Sequence, residues 1–462
     1  MSLISERIGY IMDLIIKNGT LIDSKGYYSA DIAVKDGKIA AVGKDLPESG
    51  AKIVDAAGMY VLPGAIDVHT HLAMPFGGTI SSDDYFAGTR AAACGGTTTV
   101  FDFALQDFDE KLPDTVYRRN AIAAPQAAVD YAFHVGVKDV RGALLNSMDD
   151  AVKMGVTSFK VFMVYDFGVT DGVFYQVLEK AKECGAQISV HAENNEMVNL
   201  LTKRYLEEGK TSAWYHYMSR PEFVEAEADY RAISWAKSLN ASLYIVHLAN
   251  KAGVEMVTKA KDEGFEIYAE TCPHYLEFTN EVYKREDGRN FVCSPPIKGA
   301  DSQEALWNAI RRGDIDTIAT DHCPFQSYEK DWGKDDFSKI PNGCMAIENM
   351  YPYMLSAANT GRITFQKAVE LCCENPARIF GCADKGSLKP GKDADIVIYD
   401  PKMDFTVTQE KMHSDCDHTI WEGVELHGYP VQTYSRGRLV YEKGEFLGEA
   451  GWGKFIKRIA RK

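Results

Sequence analysis

Eight short apolar runs in the middle of the chain constrain its fold more than any other feature. Each run is typical of a β-strand, and helical-looking segments, such as 173–184 and 225–239, alternate with them. The runs lie near residues 64–71, 97–103, 130–136, 157–163, 187–192, 242–247, 265–270 and 316–321. A β-then-α rhythm of this kind builds a parallel barrel. The sequence therefore predicts an α/β fold with a (β/α)8 TIM-like barrel.

Both chain ends carry short strand-like segments separated by turn signals. These segments cover 13–17, 31–34 and 38–42 near the N-terminus, and 394–399 and 437–441 near the C-terminus. The economical interpretation is that the two ends pair into one small β-sandwich. The predicted organisation is an N-terminal extension (1–12), a first sandwich part (13–63), the barrel (64–384), a second sandwich part (385–445) and a C-terminal tail (446–462).

Composition and charge exclude several classes of protein. The 462 residues, 45% apolar and 25% charged, suffice for a barrel plus a smaller module. A formal charge of −15 argues against a nucleic-acid partner, which would need clustered basic residues. Charged residues interrupt the apolar patches of the first 17 residues, so we expect neither a signal peptide nor a membrane partner. The ten cysteines are scattered, which favours free thiols in a reducing cytoplasm.

His69 and His71 lie two residues apart near the end of the first run. The alternation of side chains along a strand places both rings on the same face. In a barrel that face is the interior, and two neutral imidazoles at the C-terminal end of a strand are ready metal ligands. Two satisfied histidines in a polar strand are the alternative, so the metal hypothesis needs further ligands.

Four later runs also carry a polar residue within or at the end of the predicted strand. Lys160 lies within the fourth run, His191 and His247 end the fifth and sixth, and Asp321 ends the eighth. Each of these residues alone is more often structural. Their recurrence in successive strand-like runs points to the C-terminal face of a barrel, where such folds keep their chemistry.

Lys160 bears on the number of metals. A buried ammonium beside divalent cations would be repelled as well as desolvated. A lysine that has reacted with carbon dioxide carries instead a negative carbamate with two oxygens, which suffice to bridge two metals. The alternative is a lysine whose stem is buried and whose head reaches solvent or an acid.

Several motifs together resemble a known family. They are Pro63-Gly64-x-Ile66-Asp67-x-His69-x-His71, Phe159-Lys160-Val161-Phe162, His191, His247 and Asp321-His322-Cys323-Pro324-Phe325. This combination resembles the cyclic amidohydrolases, specifically the dihydropyrimidinase and D-hydantoinase branch, from about Met12 to the stretch 451–455. The resemblance implies hydrolysis of the cyclic amide bond of dihydropyrimidines or 5-substituted hydantoins to N-carbamoyl amino acids.

The resemblance also implies a binuclear metal site, usually with two zinc ions. His69, His71, Lys160 and Asp321 would hold one ion, and Lys160, carboxylated on its side-chain nitrogen, would share the other with His191 and His247. Asp321 would also move the proton from the attacking hydroxide to the leaving ring nitrogen.

Three further residues match family positions that contact the substrate. Tyr165, which follows Lys160 by five residues, resembles the tyrosine whose hydroxyl stabilises the tetrahedral oxyanion. Ser294 and Asn342 lie in proline-bearing turns that match family loops whose backbone pairs with the cyclic ureide. The alternative for both segments is an ordinary turn.

Several large apolar residues would form a pocket for an exocyclic substituent, although each could equally belong to the core. They are Met74, Phe76, Phe162, Met163 and Phe167. One segment departs from the family pattern, because Ala346-Ile347-Glu348-Asn349-Met350 lacks the expected glycine and arginine. This departure leaves ring size and preferred substituent open.

The C-terminal tail has two interpretations. It is basic from Lys454 to Lys462, with Trp452, Phe455 and Ile456 interleaved, which is compatible with a frayed, solvated end. In the family this region lies in subunit contacts, and the resemblance implies a homotetramer or a dimer.

Three alternative functions share parts of this pattern. A dihydroorotase typically has an arginine after His-x-His to bind the substrate carboxylate, whereas Leu72 and Ala73 follow here. Allantoinase shares the metal ligands and stays open. Non-catalytic relatives that act as assembly proteins of the neuronal cytoskeleton have lost ligands, whereas this chain retains all six.

Overall fold

The computed structural model describes residues 12–48 and 50–461. Of the predicted extension over residues 1–12, only Met12 lies within the described residues. The strands are, in chain order, β1 (Leu14–Lys17), β2 (Thr20–Asp23), β3 (Gly26–Ser29), β4 (Asp31–Lys35), β5 (Lys38–Gly43), β6 (Lys52–Asp55), β7 (Tyr60–Pro63), β8 (Ala65–Thr70), β9 (Pro75–Phe76), β10 (Thr79–Ile80), β11 (Thr97–Leu105), β12 (Asp130–Gly136), β13 (Ser158–Phe162), β14 (Gln187–His191), β15 (Leu243–Ile245), β16 (Ile267–Thr271), β17 (Thr317–Ile318), β18 (Ile396–Thr406), β19 (Glu425–Ser435), β20 (Arg438–Glu442) and β21 (Glu445–Phe446).

Helices alternate with the strands of the central region and continue after the last of them. They are α1 (Tyr85–Cys94), α2 (Leu112–Ala123), α3 (Met148–Lys153), α4 (Asp171–Cys184), α5 (Asn195–Glu207), α6 (Ala213–Met218), α7 (Glu222–Leu239), α8 (Lys251–Asp262), α9 (Pro273–Glu277), α10 (Ala300–Arg312), α11 (Ser327–Lys330), α12 (Met350–Asn359), α13 (Phe365–Val369) and α14 (Asn375–Phe380). Among the described residues, no helix is both long and apolar enough to cross a membrane.

The barrel consists of β8 and β11 to β17, which are parallel and pair in chain order. The ring closes where Thr70 pairs with His322 and the His71 N–H donates to the His322 carbonyl at 2.8 Å. Strands β11 and β14 are buried along almost their whole length, because helices cover the outside of the barrel and side chains fill its inside. The predicted barrel is confirmed.

The last barrel strand is shorter than the predicted run 316–321, since β17 covers only Thr317–Ile318. Beyond it, Thr320 bonds to a side chain of the first barrel strand. Its N–H and its hydroxyl donate to the Asp67 carboxylate at 3.1 and 2.5 Å. These bonds take the place of a regular ladder and bring Asp321 to the C-terminal end of β8.

The two chain ends form two packed sheets, as predicted. One sheet has the order β5-β4-β1-β6, and the other has the order β21-β20-β19-β18-β7-β2-β3. Strands from the two ends pair directly, because β7 runs antiparallel to β18. Leu14, Ile32 and Ile396 belong to the apolar core that both sheets share. The boundaries of the domains stay a prediction.

The C-terminal segment crosses the N-terminal end of the barrel strands. Phe455 pairs with Tyr131 at the start of β12, and the Ile456 N–H donates to the Tyr131 carbonyl at 2.8 Å. Arg458 is only 4% exposed and donates to the Ser158 hydroxyl at 2.6 Å. These contacts contradict a frayed end, because both the backbone and the charged side chain have partners within the barrel. A contact with another subunit stays a prediction.

Candidate metal centre and cavity

The ends of β8 and β17 bring together three of the predicted ligands. The Nε2 atoms of His69 and His71 lie 3.1 and 2.9 Å from Asp321 Oδ1. Although burial opposes ionisation, His69 and His71 hold the pKa of the Asp321 carboxyl well below its usual range. The carboxylate is therefore ionised at neutral pH and faces two imidazoles.

Lys160 on β13 lies against the same group. Its side chain is buried, and Nζ lies 3.2 Å from His69 Nε2 and 4.7 Å from the centre of the Phe103 ring. Burial lowers the pKa of Lys160 to about 8, because the charged ammonium is poorly solvated there. The uncharged amine is thus far more accessible near neutral pH than in a solvent-exposed lysine.

His191 and His247 form the second half of the site. His191 Nδ1 and His247 Nε2 face each other at 3.0 Å, and burial lowers the pKa of both rings. The His247 ring centre is 5.4 Å from that of His69, which links the two halves. Neutral imidazoles aimed at one point are a donor set for a divalent cation.

The donor separations can be compared with those around a metal. Two ligands of one tetrahedral zinc ion, each about 2.0–2.1 Å from it, lie roughly 3.3 Å apart. The separations at Asp321 are 3.1 and 2.9 Å, and the two imidazole nitrogens of the second half lie 3.0 Å apart. The residues present therefore fit divalent cations.

Glu270 is a site residue that the sequence analysis missed. It is completely buried near the end of β16, where it contacts His69 Nδ1 and accepts from the His247 backbone N–H at 3.0 Å. The Tyr244 hydroxyl donates to its other oxygen at 2.7 Å. The sequence did offer a signal for Glu270, because this acidic residue ends the predicted barrel run 265–270. This carboxylate orients residues from both halves of the site.

A second carboxylate supports His191. Glu193 Oε2 lies 2.8 Å from His191 Nε2 and also contacts the Arg220 guanidinium. Although burial opposes ionisation, Arg220 holds the pKa of the Glu193 carboxyl well below its usual range. Glu193 therefore fixes which ring nitrogen His191 presents to His247.

Three predicted site residues adopt left-handed backbone angles that are uncommon for residues with a side chain. The φ angles are 75° for Tyr165, 38° for His247 and 50° for Asp321. Such conformations cost free energy and persist where the surrounding structure imposes them, often at functional sites. Other non-glycine residues with positive φ lie elsewhere in the chain, but the presence of three at this end of the barrel agrees with its being the site.

A cavity opens over the two halves of the candidate metal centre. Met74, Phe76, Phe162 and Phe167 line it, as do Leu105 and Cys323, which the sequence analysis did not identify. The prediction for Met163 is wrong, because this side chain packs in the hydrophobic core of the barrel instead. Consecutive strand residues point to opposite faces, so Phe162 and Met163 cannot both face the interior.

Tyr165 and the two proline-bearing turns also border the cavity. The Tyr165 ring lies 5.3 Å from the His191 ring, and burial raises the pKa of its hydroxyl, which therefore stays protonated. Ser294 and Asn342 line the cavity as well. The Asn342 side-chain amide donates to the Ser294 hydroxyl at 3.1 Å, so the two turns touch.

The atypical segment 346–350 lies behind the cavity rather than in its lining. The backbone N–H groups of Ala346 and Ile347 lie 3.1 and 3.3 Å from His322 Nδ1. The other ring nitrogen of His322 lies 2.9 Å from Asp83. The segment therefore supports His322, the neighbour of Asp321, without itself touching the cavity.

Comparisons with known proteins find similar sequences and similar folds over nearly the whole chain. The sequence profile of the amidohydrolase family matches residues 60–440, and that of the N-terminal domain of the urease alpha-subunit matches residues 3–61. The chain is 40% identical to a D-hydantoinase of Geobacillus stearothermophilus, over 97% of each chain. The dihydropyrimidinase structure from Brevibacillus agri NCHU1002 has a TM-score of 0.96 and 38% identity, covering 98% of this chain and 100% of its own. An L-hydantoinase (dihydropyrimidinase) structure from Arthrobacter aurescens has a TM-score of 0.89 and 32% identity, covering 97% and 100%.

Proposed function

The chain belongs to the amidohydrolase family and is a cyclic amide hydrolase, and on that premise we propose that it opens dihydropyrimidines or 5-substituted hydantoins. Water adds across the ring amide: its oxygen bonds to the carbonyl carbon, the carbon–nitrogen bond breaks, and a proton goes to the nitrogen. The product is an N-carbamoyl amino acid. The observation that carries the proposal is the group of imidazoles, carboxylate and buried lysine beneath a largely apolar cavity.

The family is metal-dependent, and we propose two divalent ions, zinc in both positions. His69, His71, Lys160 and Asp321 would hold one, and Lys160, His191 and His247 the other. When bound, such ions acidify water and polarise the scissile carbonyl. The support is the donor set itself, with the ionised Asp321 and histidines whose supporting carboxylates, Glu270 and Glu193, fix their orientation.

We propose that Lys160 acts as an N6-carboxylysine. Carbamate formation needs the uncharged amine, which bonds to the carbon of carbon dioxide and loses a proton. With a pKa of about 8, roughly one lysine in ten is uncharged at pH 7. A carbamate also replaces a positive charge by a negative one beside His69, which favours cation binding.

Three side chains have proposed roles in the reaction. Asp321, ionised and at hydrogen-bond distance from two imidazoles, accepts the proton of the attacking hydroxide and passes it to the leaving ring nitrogen. Tyr165, protonated and beside His191, donates its hydroxyl to the developing oxyanion. The backbone at Ser294 and Asn342 pairs with the flat edge of the ring.

The cavity lining supports a neutral substrate. Among the described residues that line it, Lys160 is the only lysine or arginine, and Leu72 and Ala73 rather than an arginine come directly after His71. A carboxylate on the ring would therefore enter without a cationic partner, which is unfavourable. Met74, Phe76, Phe162 and Phe167 favour an apolar substituent. This argues against dihydroorotate.

We further propose a cytoplasmic homotetramer or dimer, divided into domains as the sequence predicts. All ten cysteines are free and nine are buried, which suits a reducing compartment. The proposed assembly rests on the family resemblance.

A substrate panel tests the proposed function. The purified enzyme, loaded with zinc, is assayed with dihydrouracil, hydantoin, both enantiomers of 5-substituted hydantoins, allantoin and dihydroorotate, and kcat/KM is compared. We expect a dihydropyrimidine or an apolar 5-substituted hydantoin to be fastest. If allantoin or dihydroorotate is fastest instead, the proposed substrate class is wrong, although the cyclic amide chemistry stands.

A further inference from the structure

Lys330 is a buried lysine that bonds to both proline-bearing turns of the cavity. It ends α11, and its side chain is inaccessible to solvent. Its Nζ donates to the carbonyls of Val292, Pro341 and Gly343 at 3.1, 2.7 and 2.7 Å. An ammonium group has three N–H donors, so these three bonds use its full capacity.

Lys330 makes its three bonds to neutral carbonyls rather than to carboxylates. In the described parts of the chain, no carboxylate forms an ion pair with it, and burial lowers the pKa of its ammonium. Another buried lysine, Lys385, instead contacts the carboxylates of Asp130, Asp393 and Asp395. For stability alone, an apolar side chain of similar volume often serves as well as a buried charge. The carbonyl contacts of Lys330 therefore point to a role in fixing positions.

The three carbonyls flank the residues to which we assign ring binding. Val292 lies two residues before Ser294, while Pro341 and Gly343 lie on either side of Asn342. The Gly343 N–H also donates to the Val292 carbonyl at 2.8 Å, so the two turns meet at the lysine.

Gly343 ties this arrangement to the metal end of the barrel. A Cβ atom added there would lie 2.2 Å from the Cys323 carbonyl oxygen, so only glycine allows the turn to approach so closely. Cys323 follows Asp321 by two residues. The close approach at Gly343 therefore fixes the position of the Asn342 turn relative to the segment that carries Asp321, the proposed proton carrier.

The helix that bears Lys330 is itself anchored. Gln326 and Glu329 form a capping box at its start, with the Gln326 N–H donating to the Glu329 carboxylate at 2.7 Å. The Ser327 N–H donates to Asp417 at 2.8 Å. These bonds fix the position of α11, and therefore also the backbone position from which the Lys330 side chain extends.

We propose that Lys330 is a positioning residue that sets the spacing of the Ser294 and Asn342 turns and so determines how well the enzyme binds the substrate ring. This inference rests on the proposed function, because it assumes that these turns bind the cyclic ureide. Lys330 does not touch the reacting atoms. Its effect is on ring binding in both the ground state and the transition state.

The test compares Lys330→Met, which keeps an unbranched side chain one atom shorter and removes all three donors, with the wild type. We expect KM for the best hydantoin or dihydropyrimidine to rise by about tenfold or more, with kcat within about threefold, as for the loss of uniform binding. Metal content should stay at the wild-type level. Amide hydrogen exchange should become faster in both turns, 292–296 and 340–344, and not in the barrel strands.

Lys385→Met is the matched control, since it removes a buried lysine far from the cavity and should lower Tm without changing KM. A Lys330→Met enzyme with wild-type KM and wild-type exchange in the two turns would overturn the proposal, whatever its Tm. If Lys330→Met does not fold, Lys330→Leu, which also lacks an N–H donor, is measured in the same way, and wild-type KM with wild-type exchange in the two turns refutes the proposal equally. If the wild type opens no cyclic ureide, the proposed function has failed, and the exchange of the two turns still decides whether Lys330 holds them.

Discussion

The buried carboxylate of Glu270 allows a quantitative test of how the metal centre is organised. One of its oxygens contacts both His69 Nδ1 and the His247 N–H, and the other accepts from the Tyr244 hydroxyl. Glu270→Gln keeps the size and the shape of the side chain but removes its charge. The hydrogen bond to His69 then loses its charge assistance, and the imidazole becomes a weaker electron donor towards a cation.

The expected magnitude follows from the hydrogen bonds that the Glu270 carboxylate makes to the site. Removal of a supporting partner of a metal-binding histidine typically weakens metal binding by about 10- to 100-fold, which corresponds to roughly 1.4–2.7 kcal/mol. We expect Glu270→Gln to lie in the upper part of that range, because the same oxygen serves residues from both proposed metal positions. The barrel should stay folded, since no volume is lost.

The assay is zinc titration of metal-free protein in competition with a chromophoric chelator. Tyr244→Phe is the control, because it removes the donor to the other Glu270 oxygen and a bond to Thr317 but no contact with His69 or His247, and it should change zinc affinity by less than about threefold. Circular dichroism confirms that both variants are folded. Zinc affinity of Glu270→Gln within twofold of the wild type would refute the view that this carboxylate organises the site.

The other predictions concern the residues with proposed roles in metal binding and chemistry. Lys160→Ala should remove the bridging carbamate and abolish turnover in a folded barrel; retention of two metals per chain with normal activity, measured by metal analysis, would contradict the assignment. Asp321→Asn should lower kcat by at least about 10²–10⁴-fold through loss of the base, and a steady-state kcat within threefold of the wild type would mean that another residue moves the proton. Tyr165→Phe should lower kcat for all accepted rings by about 10²–10³-fold, and a loss confined to one ring would argue against an oxyanion role.

Local sequence patterns sufficed to predict the barrel and to single out the six residues proposed as metal donors. Apolar runs with helical segments between them define parallel strands, and polar residues within or at the end of several such runs are informative together, although each alone is more often structural. The alternation of side chains along a strand could have excluded Met163 from the cavity. Lys160 and Phe162 lie on the interior face of β13, so the residue that follows Phe162 points away from the interior.

The course of the chain beyond regular elements depended on tertiary contacts. β17 ends early because Thr320 bonds to Asp67, a residue 253 positions away. The sequence of the basic C-terminal segment is compatible with a solvated end. In the structure, however, Arg458 is buried at the N-terminal end of the barrel, where it contacts Ser158. Neither partner can be recognised from the residues next to it.

Only the tertiary structure shows which charged residues support the candidate site. Glu270 meets a histidine 201 residues away, and Lys330 meets a carbonyl 38 residues away. In the sequence each is one charged residue among many. Whether a charge can be buried depends on the desolvation cost and on the partners that offset it. Those partners come from distant segments, so local propensity carries no information about them. The strand pattern that places the proposed donor residues, in contrast, is present in consecutive residues of the sequence.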